Sequence, residues 1–268
     1  MGRNILRNTD ARGLDMDLKY ACIINGVEGA YPGKAACVVV LGGSGLRTEF
    51  GFFGPVALAP EDCSEISVES LISHLNLQKA NMEAVVFTGS EPLQQFDAIA
   101  AIMRSLKESG YLVKLETTGF YADKLESLLS YLDAVAMDIK TEFDADKYAE
   151  LTGFRGEPAT LMQDTLRSIR ILKAHKAKNP NFHIEFRTTI IPNVNDTQEI
   201  VEKIVKEVPF ADRYALQQFV AESKLADEKL RKYGSTPKIR LVELAVVAKK
   251  FIKEVVIRTK EEGEQVVE

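Results

Sequence analysis

Residues 83–140 carry three short runs, EAVVFTG (83–89), LVKLETTG (112–119) and DAVAMDIK (133–140), separated by stretches of helical period. Each run is rich in β-branched residues, and several are apolar on both faces. That is the mark of parallel strands covered by helices. Working outward, ACVVVLG (36–42), FHIEFRTTII (182–191) and RYALQQFV (213–220) repeat the pattern. Between them, Val68, Leu71, Ile72 and Leu75 form one helical stripe after Ser67 as N-cap. Met162, Leu166, Ile169 and Leu172 form another. Asp196 followed by Glu199 reads as a capping-box variant opening a helix with Ile200, Ile204 and Val208 inward. Helices near 94–108 and 122–131 complete the series. Six βα units are too few for a closed eight-unit barrel, so the expected fold is α/β: an open (β/α)6 partial TIM-type barrel. Residues 1–30 read as an N-terminal extension beside the first strand, and residues 31–268 as a single domain. That domain closes with a helix (238–252), a short strand EVVIR (254–258) and a charged tail expected to fray.

The 268 residues are 46% hydrophobic and 27% charged, enough for a sizeable core. Thirty-four Lys and Arg against 39 Asp and Glu leave a net charge of −5, which gives no electrostatic reason to expect nucleic acid. The longest apolar run, Ala35–Leu41, is strand-sized rather than membrane-sized. The N-terminus lacks the apolar stretch of a secretory signal, and Leu6 stands where a myristoylation signal needs Ser or Thr. Cysteines occur only at 22, 37 and 63, a sparse, odd set that suits a reducing cytoplasm rather than a disulfide framework. Cys37 alternates with Val38 inside a strand, as a core residue does. His74, His175 and His183 show no metal-binding interval.

Motifs fall at the C-terminal ends of the strands, where such barrels keep their chemistry. Tyr31-Pro32-Gly33-Lys34, Ala36–Val40 and Gly42-Gly43 open the series. Thr88-Gly89-Ser90-Glu91-Pro92, Glu116-Thr117-Thr118-Gly119, Asp138-Ile139-Lys140, Arg187 to Pro192 and Leu216-Gln217-Gln218-Phe219 follow in order. Together they resemble the radical S-adenosylmethionine (SAM) superfamily, and within it the activating proteins of anaerobic ribonucleotide reductase and of pyruvate formate-lyase. The matched motifs resemble that family's TGGEP, ETNG, DIK, R-x-x-x-x-P and LQQF segments. The resemblance implies SAM contacts at Thr88, Gly89, Ser90, Glu91, Thr118, Asp138, Lys140 and Arg187. Ser90 replaces a glycine, Thr118 an asparagine and Ala30 an aspartate of the family pattern.

The family's CxxxCxxC loop is degenerate: its three positions read Ser44, Thr48 and Gly51, in a register set by Leu46-Arg47. A [4Fe–4S] cluster is held by thiolates, and a protonated hydroxyl or a bare glycine is no substitute. From this comes the expectation of a protein without an iron–sulfur cluster, binding SAM or a related nucleoside without radical chemistry. The alternatives are a glycyl-radical activating enzyme and a scaffold that docks a partner protein. Expected partners are a small molecule at the barrel mouth and, in the activating reading, a partner enzyme, with no nucleic acid or membrane and a monomeric chain. Asp138, Lys140, Arg187 and Glu91 are expected to converge there, as a ligand site or as an inherited ion network. Phe50, Phe52 and Phe53 would fill the cluster cavity or form an aromatic wall. Gly42-Gly43-Ser44-Gly45 lacks the Lys of a phosphate-binding P-loop.

Overall fold

A computed structural model describes residues 16–42, 63–89, 91–221 and 231–268. The chain runs β1 (Asp17–Tyr31), β2 (Lys34–Leu41), β3 (Ser64–Ser67), α1 (Val68–Leu77), β4 (Ala84–Gly89), α2 (Phe96–Glu108), β5 (Leu112–Thr117), α3 (Ala122–Leu128) and β6 (Ala134–Asp138). It continues through α4 (Ala145–Thr152), α5 (Pro158–Lys178), β7 (His183–Ile190), α6 (Gln198–Glu207), β8 (Arg213–Gln218), α7 (Lys238–Ala248), β9 (Glu254–Thr259) and β10 (Gly263–Val266). One ten-stranded sheet has the order β10-β9-β8-β7-β6-β5-β4-β2-β1-β3. β2 and β4 to β9 pair in parallel, whereas β1, β3 and β10 join antiparallel. This is the expected α/β open barrel, with β3 and β10 left at opposite edges.

The period of two along each strand sorts the side chains into two layers. Val39, Phe87, Leu115, Met137, Phe186, Leu216 and Ile257 face the helices and join the main core. Val38, Val40, Val86, Ala84 and Ala134 face the other way and pack with Tyr31 in a smaller cluster. Cys37 belongs to the helix-side core, as its alternation with Val38 implies. Residues 17–31 form β1 against β2.

Three expectations need correction. The charged tail does not fray: β10 forms an antiparallel hairpin with β9, pairing Glu264 with Arg258 and Gln265 with Ile257. EVVIR is accordingly an interior parallel strand between β8 and β10. The helix after β7 is capped by Thr197, whose side chain accepts from Ile200 N–H, while Asp196 Oδ1 accepts from Asn193 N–H. Its inward face is Val201, Ile204 and Val205, with Val208 just beyond, rather than Ile200. Helix α4 was not foreseen. It is capped by Asp144 and closed by Gly153 in the left-handed region, with only Tyr148, Ala149 and Thr152 buried.

The cap assignment predicts that Thr197→Ala lowers stability by about 1 kcal/mol. Glu199→Ala, exposed on the first turn, should change it by less than about 0.5 kcal/mol. Urea unfolding of the two variants checks the order.

Candidate functional site

The carboxyl ends of β4 to β8 gather most of the polar motifs, and two glycines allow the backbones to meet there. Gly89 has φ +108, and a Cβ on it would lie 2.3 Å from the Leu41 carbonyl oxygen at the end of β2. Gly119 has φ +77, and its Cβ would lie 2.1 Å from Met137 Cε. A side chain at Gly89 would collide with the Leu41 backbone, and one at Gly119 would be strained by the positive φ and displace the Met137 side chain.

Beyond Gly89, Glu91 caps a 3-10 turn begun by Pro92. Its carboxylate accepts from Leu93 N–H (3.0 Å), Thr117 Oγ1 (3.0 Å), Thr118 N–H (2.7 Å) and Thr118 Oγ1 (2.5 Å). Burial pushes the Glu91 carboxyl up, and those hydrogen bonds only partly offset it. Glu91 thus ties the end of β4 to the end of β5. It stands apart from the ion network in which it was expected, and Thr118 spends both its N–H and its hydroxyl on Glu91.

The other three charged residues do converge. Arg187 Nε donates to Asp138 Oδ1 at 2.8 Å, and Lys140 Nζ donates to Asp138 Oδ2 at 2.7 Å. Arg187 Nη1 also reaches Glu116 Oε2 at 2.6 Å, and Thr88 Oγ1 donates to the same oxygen at 2.7 Å. Lys114 Nζ lies 3.3 Å from Glu116 Oε1 and donates to the Ala30 carbonyl at 2.7 Å. Further down the same face, Arg258 holds Glu185 through two bonds of 2.9 Å. Glu116, Lys114, Glu185 and Arg258 escaped the sequence reading as site residues. The signal was present, since Lys114 and Glu116, and Glu185 and Arg187, stand two apart in otherwise apolar strands and so share a face.

Burial alone would raise the Glu116 carboxyl, but Arg187 and Lys114 outweigh it and bring it down to about 2. Asp138 is likewise lowered, burial being outweighed by Arg187 and Lys140. Ser90, the loop positions Ser44, Thr48 and Gly51, and the phenylalanines at 50, 52 and 53 lie outside the described residues.

The donors for an iron–sulfur cluster can be tested on what is described. Cys37 is buried in the helix-side core, where desolvation pushes its thiol up to about 11. Cys22 sits on β1 with its thiol also raised by burial. Cys63 packs against the end of β2, since a Cβ on Gly42 would meet its sulfur at 2.0 Å. These are separate thiols, two of them held protonated rather than as thiolates. Among the described residues no group of three or more His, Cys, Asp or Glu could hold a metal ion. Among the described residues these thiols do not come together as a cluster site. No described helix is long and apolar enough to cross a membrane.

Residues 54–205 match the Radical SAM superfamily. The chain is 35% identical to a candidate glycyl-radical enzyme activating enzyme of Methanocaldococcus jannaschii, over 85% of this chain and 91% of that one. It is 25% identical to the pyruvate formate-lyase-activating enzyme of Clostridium pasteurianum, over 77% and 83% of the two chains. The fold resembles TYW1 with a lysine–pyruvate adduct bound (TM-score 0.55, 13% identity, 85% and 77% covered). It also resembles QueE from Escherichia coli (TM-score 0.52, 12% identity, 94% and 99% covered). The chain therefore belongs to the radical SAM superfamily. Within it, the named relatives are activating enzymes of glycyl-radical enzymes.

This corrects the function expected from sequence. Three altered loop positions suggested a cluster-free protein that binds SAM without radical chemistry. The family match and the activating-enzyme relatives overturn that reading and favour its alternative. The expectation of no iron–sulfur cluster, which rested on the same loop positions, falls with it.

The lowered carboxylates set a pH dependence. A group whose folded pKa lies below its unfolded value stabilises above the unfolded value and loses that stability as pH falls through the folded one. For Glu116 the window runs from about 4.5 down to about 2, and the stake is roughly 3 kcal/mol. Glu116→Gln should cost roughly 3 kcal/mol at pH 7, by leaving Arg187 and Lys114 underpaired. The same variant should also flatten the acid limb. Urea midpoints from pH 7 to pH 2.5 for both proteins check this, and parallel limbs would contradict it.

Proposed function

We propose that the chain is an activating enzyme that binds SAM at the barrel mouth and generates a glycyl radical on a partner enzyme, in the cytoplasm. The observation that carries the reading is the 35% identity, over 85% of the chain, to a protein named for that activity. The mouth supports it chemically. Lys140 commits one of its three N–H donors to Asp138, so it retains donors for a carboxylate. Asp138 is held ionised between two cations and can accept from an ammonium or a hydroxyl. Thr88, Gly89, Glu91 and Thr118 form the adjoining wall, with Glu91 bracing it rather than facing the charged pair.

The test uses anaerobically purified protein with iron and acid-labile sulfide assayed on the same sample. SAM affinity is measured by calorimetry. The protein is then mixed with a glycyl-radical enzyme, SAM and a one-electron reductant, and the glycyl radical is read by electron paramagnetic resonance. A SAM-dependent radical on the partner is expected. Saturable SAM binding absent from the wild-type chain, or no radical on any partner tried, would refute the reading.

The placement of the ligand has its own check. Asp138→Ala should weaken SAM binding by about tenfold or more, as the loss of a charged hydrogen bond does. Ser44→Ala should change it by less than about twofold. Equal losses would move the site away from the strand ends.

A further inference from the structure

Lys140 follows the end of β6, yet its own backbone N–H and carbonyl are both taken by side chains from elsewhere. Ile139 N–H donates to the Arg187 carbonyl at 2.7 Å, continuing the ladder to β7 by one step. Lys140 N–H donates to Tyr148 Oη on α4 at 3.1 Å. The Lys140 carbonyl accepts from Asn195 Nδ2 at 2.7 Å. Asn195 also donates to the Thr189 carbonyl at 2.9 Å and accepts from Ile191 N–H at 2.7 Å. Tyr148 and Asn195 are both fully buried. One amide side chain thus binds the ends of β6 and β7 together, and one phenol fixes the residue between them.

A strand that has left its ladder needs only a few hydrogen bonds to stay folded, and solvent could supply them at an exposed turn. Here the turn is desolvated and its partners come from α4 and from the loop after β7. The side chain so fixed belongs to the cation proposed to meet the ligand. We infer that Tyr148 and Asn195 are positioning residues of the SAM site: they hold the Lys140 backbone so that its ammonium stays beside Asp138 and Arg187. The inference rests on the activating-enzyme reading, and it adds two residues that touch no ligand. It also gives α4 a task, since the helix has few buried residues of its own and one of them is Tyr148.

The experiment is a double-mutant cycle on SAM affinity, measured by calorimetry on the full chain, with melting temperature recorded alongside. Tyr148→Phe keeps the ring and its edge-on contact with Phe120 and removes the hydroxyl that accepts from Lys140 N–H and also pairs with the Thr165 side chain. It should weaken SAM binding by about tenfold. Lys140→Met should weaken it at least as much. If Tyr148 acts through Lys140, the double variant binds no more weakly than Lys140→Met alone, because the second change removes a support for a group already gone. Asn195→Asp, which keeps the acceptor for Ile191 and loses both donors, should behave as Tyr148→Phe does. Unchanged affinity in Tyr148→Phe, or losses that multiply in the double variant, would overturn the inference while leaving wild-type SAM binding intact. A wild-type chain that does not bind SAM would instead overturn the activating reading, and this inference with it.

Discussion

The guanidinium of Arg187 is the piece on which the open end of this barrel depends. It sits on β7 and grips Asp138 on β6 and Glu116 on β5, and Glu116 is gripped in turn by Thr88 on β4. Four adjacent strand ends are therefore held by one chain of charge-assisted bonds. Removing such charges from water is costly, and the cost is recovered only if each has its partner in place. The neighbouring strand positions make room. Ala136 lies between Glu116 and Glu185 in register, and Ala215 lies beside Arg187. Small residues under long charged ones let the side chains cross over them and meet.

Glu91 shows the other way to keep a carboxyl inside. It has no cation among its hydrogen-bond partners, and burial drives it toward the protonated form, yet two hydroxyls and two amides from its own turn and the end of β5 enclose it. The turn that brings it there needs Gly89, whose missing Cβ leaves space for the Leu41 backbone. The mouth is thus braced in two parts. Hydrogen bonds to Glu91 join β4 to β5, and the Arg187 network joins β4 through β7.

How much of this was legible follows from which contacts are local. The parallel strands announced themselves because their helix-facing residues are uniformly apolar, and the motifs lay at their ends. The tail could not be read in that way. Glu264 looks like a solvated charge in sequence, but in the fold it is a counter-ion for Arg258 and Arg213, the latter 51 residues away. Such a partner leaves no periodic trace. Helix α4 escaped for a related reason: it buries a single large side chain, Tyr148, whose purpose is a hydrogen bond to Lys140 rather than an apolar stripe. Glu116 and Lys114 were visible as charges two apart on a buried strand. What was missing was their partner strand, which only the register supplies.

The function depends on the same separation of local from distributed information. The strand-end charges are bound to one another across four strands. Arg187, Asp138, Glu116 and Lys140 each find charged partners within that set. Three residue identities in one segment are local information, whereas this network is distributed over the sheet. The family match over residues 54–205 is distributed in the same way, because it spans the strands that supply Thr88, Glu116, Asp138, Lys140 and Arg187.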